Sequence, residues 1–277
     1  MNQETIDLDR ALAVALEAAR EAGAILLEES KGPQKISYKG DVDLVTQADV
    51  RSERLITARL RAAFPDHRIV GEELGETVEA EGASRYRWLV DPLDGTTNFA
   101  HGFPVFAVSI GLLEEDEPVV GVVYHPSADE MFSARRGGGA RLNGEPIHVS
   151  QVDRLAAGLL GTGFPTHKRS ETPNMRYYWE YTLRSHGVRR AGAAALDLCS
   201  VACGRFEAFW EFGLKPWDTA AGILLVREAG GLVTDFDGHP YHPGDRILLA
   251  SNALIHEEMC GVAREIATMP SLTGARS

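Results

Sequence analysis

The chain has 277 residues, enough for one large domain or two tightly joined ones. Hydrophobic residues make up 44% and charged residues 25%, a balance that sets aside disordered, collagenous and coiled-coil architectures. A formal net charge of -12 disfavours a broad grip on nucleic-acid phosphates or an anionic membrane, and no run approaches the ~18 apolar residues of a membrane span.

The opening "MNQETIDLDR" lacks a basic start and an apolar core, so a cytoplasmic protein is expected. From Leu8 to Leu27 an Ala-rich run with apolar residues at helical spacing predicts a helix, with Asp7 or Asp9 to cap it. After the break "SKGPQ", Thr46 is placed to cap a second helix that carries Leu55, Ile56, Leu60 and Phe64 on one side and Asp49 in its first turn. "HRIVGEE" and "RYRWLVD" read as short strands ending in carboxylates, with the loose polar stretch "LGETVEAEGAS" between them. "VFAVSIGLLE", "PVVGVVYH" and "EMFSARRG" follow at the close spacing of an antiparallel meander. "RRGGGARLNG" has the glycine density of a phosphate loop, but no helix opens behind it, so a hairpin with a tight turn is expected.

Beyond "RLNGEPIHVS" helices and strands alternate: strands at "AAGLLGTG", "GVRR", "RFEAFWEF", "GLVTDF" and "RILLAS", helices at "TPNMRYYWEYTLRS", "AAALDLCSVACG", "PWDTAAGILLVREA" and "ALIHEEMCGVAREIA". The whole reads as layered α and β, with an antiparallel first half and a mixed second half, and "MPSLTGARS" as a frayed tail. The aromatics of "RYYWEYTL" have the spacing of a core face, though an interface or a lid over substrate is the functional alternative. Cys199 and Cys203 share a helix face without a His or further Cys at ligand spacing, and with Cys260 they are expected to be small apolar side chains. "HKRSETPNMR" and "RSHGVRR" are read as solvated basic faces, and "HPYH" from His239 to His242 as a proline turn.

Acids stand where elements begin or end: Glu72 and Glu73 in "GEE", Asp91 and Asp94 in "DPLDGTT", Asp218 in "WDTAAG" and Asp49 in "QAD". Capping alone would account for Asp218, which follows Pro216 into a helix. For Asp91 capping is a weaker account, because Pro92 extends the chain and brings both Asp carboxylates and the Leu93 carbonyl toward one point. Hard oxygen ligands of that kind suit Mg²⁺, and clustered carboxylates repel unless a cation lies among them. The following "GTTNF" offers free N–H groups where a phosphate would bind, although "DGTT" alone is as readily a turn.

Taken together, "GEE", "DPLDGTTNF" and "WDTAAG", with "DLVTQAD" upstream and "EAGG" downstream, resemble the signature segments of the inositol monophosphatase family across nearly the whole chain. The resemblance implies a layered αβαβα sandwich of the sugar-phosphatase type. Residues 1–150 would form an α+β part with most metal ligands, and residues 151–277 an α/β part with the last ligand and the substrate wall, packed as one unit. It implies two or three Mg²⁺ ions on Glu72, Asp91, Asp94, Asp218 and the Leu93 carbonyl, with Asp91 bridging. Asp49 and Thr96, with Glu72, would serve catalysis by a metal-activated water, and the amides of Gly95 and Thr96 would seat the phosphate. Gly192, Ala194 and Glu211, with Asp94 and Asp218, would face the substrate; Ala193 departs from the Ser or Thr of many members.

The activity so implied is hydrolysis of inositol monophosphate, with lithium sensitivity and a homodimer. A broad sugar phosphatase acting on fructose 1,6-bisphosphate is the runner-up, and a regulatory binding protein that keeps the fold is a third reading. That third reading is disfavoured because all the metal carboxylates and the Asp49–Thr96 pair are present. No G-x-S-x-G elbow, Walker A loop or H-E-x-x-H helix offers a rival chemistry.

Overall fold

Asp7 starts the first helix by accepting hydrogen bonds from the N–H groups of Asp9 and Arg10, and α1 (Leu8–Glu29) follows. The computed structural model describes residues 6–32, 36–39, 43–77, 84–164 and 173–269, with backbone alone at 36–39, 43–45 and 77. The hairpin β1 (Ile36–Lys39) and β2 (Asp43–Thr46) leads into α2 (Gln47–Ala63), where Thr46 closes the strand and caps the helix. Residues 167–172 of the stretch read as a basic face and the tail 270–277 lie outside the described residues.

Eight strands then form the first sheet: β3 (Arg68–Gly71), β4 (Gly75–Thr77), β5 (Tyr86–Asp94), β6 (Ala107–Glu114), β7 (Glu117–His125), β8 (Glu130–Arg135), β9 (Ala140–Leu142) and β10 (Glu145–Ile147). Their order is β10-β9-β8-β7-β6-β5-β3-β4, antiparallel throughout except for the parallel pair β3 and β5. A short helix, α3 (Thr96–Ala100), follows β5 directly. The glycine-rich run is the expected hairpin: Asn143 and Gly144 both have positive φ in the two-residue turn between β9 and β10. Part of the stretch read as a loose connection forms β4, which pairs back onto β3.

The second sheet takes β11 (Leu159–Thr162), then, after α4 (Asn174–Arg184), β12 (Gly187–Arg189). Beyond α5 (Ala194–Ala202) come β13 (Ala208–Phe212), α6 (Pro216–Glu228), β14 (Leu232–Thr234), β15 (Ile247–Ser251) and the closing α7 (His256–Thr268). Its order is β12-β11-β13-β15-β14, parallel on one side of β13 and antiparallel on the other.

Three apolar seams make the layers. Small side chains on α1, Ala15, Ala18 and Ala22 among them, and Ile56 and Leu60 of α2 pack on Val108, Ile110 and Val120 of the first sheet. Leu198 of α5 and Ile223 and Leu225 of α6 fill the space between the two sheets, against Val123, Phe209 and Ala250. Tyr181 of α4 and Met259 and Val262 of α7 cover the outer face of the second sheet at Trp210 and Leu249. The architecture is the expected αβαβα sandwich. Gly111 and Gly121 let α6 lie close on β6 and β7, since a Cβ at either would stand 2.7 Å from Ala220 Cβ or 2.6 Å from the Ala221 carbonyl.

On α4 the core reading holds for one side only. Tyr181 is buried and donates to the Met259 carbonyl, whereas Trp179 is 62% exposed with Met175 and Leu183 on the same side. Cys199 is buried, Cys203 half-buried, and neither is in a disulfide. No helix among the described residues is long and apolar enough to cross a membrane.

Candidate active site

The end of β3 lies beside the middle of its parallel neighbour β5, which brings two acids together. Gly71 of β3 pairs with Val90 of β5, and the N–H of Glu72 donates to the Val90 carbonyl at 3.2 Å, so Glu72 emerges beside Asp91. At Asp91 the ladder with β6 becomes irregular and resumes at Asp94. The Asp-Pro-Leu-Asp stretch thus turns both carboxylates toward the sheet's end instead of alternating them across its faces. Asp218 arrives from the first turn of α6, and Glu211 from β13 of the second sheet. Glu72, Asp91, Asp94, Asp218 and Glu211 line one cavity of about 310 Å³.

Each Asp is aimed by the backbone. Asp91 Oδ1 accepts from the Leu93 N–H at 3.0 Å, and Asp218 Oδ2 from the Lys215 N–H at 2.7 Å. Asp94 reaches across to the second half of the chain, accepting from the N–H groups of Ala194 (3.2 Å) and Ala195 (2.7 Å) at the start of α5. That contact answers the missing hydroxyl at Ala193: the free N–H groups of α5 are met by a carboxylate from β5.

Burial and like charge act on these acids in the same direction. Burial pushes Asp91 well above the carboxylate range, reinforced by Glu72, Asp94 and Asp218. Burial raises Asp218 likewise, with Asp94 and Glu72 adding to it. Asp94 is raised to about 6 by burial, held back by the N–H groups at the start of α5. Glu211 is raised to about 8 by burial and by Asp94, and among the described residues its carboxylate accepts no hydrogen bond. Room for it comes from Gly163, where a Cβ would overlap that carboxylate.

Behind this wall lie Asp49 and Thr96. Asp49 is fully buried and accepts from the Thr46 N–H at 2.8 Å and the Thr46 hydroxyl at 2.5 Å. Thr96 Oγ1 stands 3.4 Å from Asp49 Oδ1 and 3.0 Å from the Leu93 carbonyl oxygen. Burial raises Asp49 to about 6 against the lowering effect of Thr46. Thr96 lines the cavity and Asp49 does not. Gly95, Gly192 and Ala194, also read from the sequence, line it too.

Two residues that line the cavity, Arg190 and Asn98, and one buried near it, Asp197, were not singled out by sequence. Arg190, read as part of a solvated basic face, is the only basic side chain among the described residues that line it, and its guanidinium lies 5.6 Å from the centre of the Phe164 ring. Asn98 ties the two halves together by donating to the carbonyls of Val105 and Ala191 at 2.8 and 2.9 Å. Asp197 is buried on α5 and raised well above its usual range by burial and by Glu211 and Asp94. The "NF" after "GTT" and the Asp in "ALDL" were the available signals. A separate surface group, Asp235, Asp237 and His239, brings three ligand atoms together. There Asp235 accepts from the N–H groups of Asp237 and His239, closing a turn over 235–239 that ends where the expected proline turn, His239 to His242, begins.

Residues 7–268 match the inositol monophosphatase family. An inositol-1-monophosphatase of Synechocystis sp. is 45% identical over 256 residues, covering 91% of this chain and 88% of its own. A protein of Aquifex aeolicus named fructose-1,6-bisphosphatase/inositol-1-monophosphatase is 40% identical over 263 residues, 94% of this chain and 97% of its own. Among solved structures, an inositol monophosphatase from Anabaena (Nostoc) sp. superimposes with a TM-score of 0.85 at 41% identity, over 97% of this chain and 100% of that one. With the carboxylate cavity and the αβαβα layers already in place, the match over nearly the full length settles the lineage: the chain is a phosphomonoesterase belonging to the inositol monophosphatase family.

Proposed function

We propose that the chain hydrolyses inositol monophosphate to inositol and phosphate with the help of Mg²⁺. The observation that carries this reading is the gathering of Glu72, Asp91, Asp94 and Asp218 around one cavity with a single basic side chain among its described lining residues. Such a donor set, all hard oxygen and mutually repelling, fits divalent cations. Glu72, Asp91, Asp94, Asp218 and the Leu93 carbonyl would hold two or three Mg²⁺ ions. When bound, the ions supply Lewis-acid activation of a water and neutralise the charge of the phosphate.

The chain's own residues do the rest. The N–H groups of Gly95 and Thr96 bind phosphate oxygens. Thr96 Oγ1, backed by Asp49, orients the attacking water along the line of displacement, and Glu72 borders the same water. Glu211, with no hydrogen-bond partner of its own among the described residues, meets the hydroxyls of a polyol, and Gly192 and Ala194 form the wall beside it. At neutral pH a carboxyl raised to about 8 is mainly protonated, so Glu211 donates as well as accepts in the metal-free protein.

A second reading, fructose 1,6-bisphosphate as a substrate, is favoured by Arg190, whose guanidinium would meet a second phosphate at the cavity's edge. The name of the Aquifex relative carries both activities. The test is Mg²⁺-dependent phosphate release from inositol 1-phosphate and fructose 1,6-bisphosphate side by side, comparing kcat/KM. A strong preference for the inositol ester is the expected result. Comparable rates would move the chain to the broader sugar phosphatases, and no release from either would end the reading. A homodimer, lithium inhibition and a cytoplasmic setting follow from the same family reading; sedimentation in solution tests the first.

A further inference from the structure

Glu53 lies one helical turn beyond Asp49 on α2 and is 1% exposed, a burial that a carboxylate tolerates only with good partners. It finds them in the backbone of the segment after β3: Oε2 accepts from the Glu73 N–H at 2.7 Å and Oε1 from the Leu74 N–H at 2.8 Å. Two charge-assisted bonds to successive N–H groups fix the path of the chain where it leaves the strand. The residue just before them is Glu72, itself bonded through its N–H to the Val90 carbonyl beside Asp91. Glu72 is therefore pinned on one side by β5 and on the other by Glu53. The sequence keeps this contact open at Gly71, where a Cβ would overlap the Glu53 carboxylate.

We propose that Glu53 is a positioning residue that holds Glu72 in place for cation binding, so that α2 serves the site twice, through Asp49 toward Thr96 and through Glu53 toward the Glu72 segment. The proposal rests on the reading of the cavity as a Mg²⁺ site. A staple of purely structural value would lower the melting temperature and leave Mg²⁺ affinity unchanged, whereas outer partners of metal ligands act on affinity itself, by about 10- to 100-fold.

The experiment compares the full-length chain with Glu53→Gln, Glu53→Ala, Gly71→Ala and the Glu53→Ala/Gly71→Ala double variant. Mg²⁺ affinity is measured by calorimetry without substrate, and amide exchange at Glu73 and Leu74 in the metal-free protein. Glu53→Gln keeps the volume but turns an amide NH₂ toward one of the two N–H groups, so it should weaken Mg²⁺ binding by about 10-fold or more. It should also speed exchange at both amides and leave kcat at saturating Mg²⁺ within about 3-fold of wild type. Gly71→Ala should reproduce the loss by displacing the carboxylate. Added to Glu53→Ala, which vacates that space, it should cost nothing further, since the two act through one contact. Wild-type affinity in both Glu53 variants, or losses that add independently, would overturn the proposal. If the wild-type chain bound no Mg²⁺, the reading of the cavity would fall, and unchanged amide exchange in Glu53→Ala would separately dismiss the clamp.

Discussion

Asp91 is the residue on which the charge balance of the site turns. It is 2% exposed, faces three other acids of the cavity and has one backbone N–H as its recorded partner. In a metal-free protein such a group destabilises the fold when ionised, because burial and like charge act in the same direction. Asp91→Asn keeps the shape and the oxygen that accepts from the Leu93 N–H, removing only the charge. We expect it to lower kcat/KM by about 10³-fold, the scale of losing one well-placed electrostatic group. In chelator its melting temperature should equal or exceed that of the wild type. A clear fall in melting temperature in chelator, alongside the lost activity, would mean that Asp91 supports the fold and would remove it from the cation-binding set. The same logic explains why Glu211 tolerates burial without a recorded partner: raised to about 8, it avoids the charge that its surroundings would penalise.

At the scale of elements, the site is made where backbone N–H groups run out of partners. The start of α5 is the clearest case: Ala193 supplies no capping side chain, and Asp94 from β5 takes the N–H groups of Ala194 and Ala195 instead. Introducing a hydroxyl there ordinarily stabilises a helix by ~1 kcal/mol. In Ala193→Ser we expect less than about 0.5 kcal/mol by urea unfolding, because the donors it would serve are already engaged. A full capping gain would show that the Asp94 contact is weak. This is also where sequence reading stopped. The end of β3 before Glu72, the cap at Thr46 and the order of helices and strands were legible because turn residues, periodicity and acids sit within a few positions of one another, whereas β5, read as ending at Asp91, runs on to Asp94 through an irregular stretch. The parallel pairing of β3 with β5 was not, since nothing local distinguishes it from one more antiparallel neighbour. Arg190 and Asn98 were missed for a related reason. Their roles exist only once α3 and the segment before α5, some ninety residues apart in the chain, are brought together across the cavity. Trp179 was misread because helical spacing tells that a helix has an apolar side, while burial depends on whether a second layer reaches it.

For the whole molecule, the balance of raised and lowered acids sets how stability responds to pH. Asp49 and Asp94 are raised to about 6 and Glu211 to about 8, chiefly by burial, and Asp91, Asp197 and Asp218 are raised well above their usual value. In the unfolded chain all six titrate near ~4, so above that pH the folded state binds more protons than the unfolded one, and stability falls as pH rises. Two histidines, the half-buried His67 and the buried His256, are lowered by burial and act in the opposite sense, but their contribution is complete once pH has passed ~6.5, where the unfolded imidazoles lose their protons. The acids lowered by ion pairs, such as Glu114 and Glu130, change protonation below the window in question. From pH 7 to 8.5 the raised carboxylates are joined by His239, raised by its bond to Asp235, and, as pH nears the ~8.5 of a free thiol, by the three cysteines, raised chiefly by burial. All of these lose stability as pH rises, so the melting temperature of the metal-free protein should fall by several degrees, at ~2–4 °C per kcal/mol for a chain of this class. Mg²⁺ binds the ionised form, so its stabilisation competes with protons and must grow over the same interval. The measurement is thermal unfolding at a series of pH values with chelator and with millimolar Mg²⁺. A Mg²⁺-induced rise in melting temperature that widens from pH 6 to 8.5 ties the buried acids to the cations. A rise independent of pH would mean that the ions bind without displacing protons from Asp91, Asp94 or Asp218, and the cavity would then need different ligands.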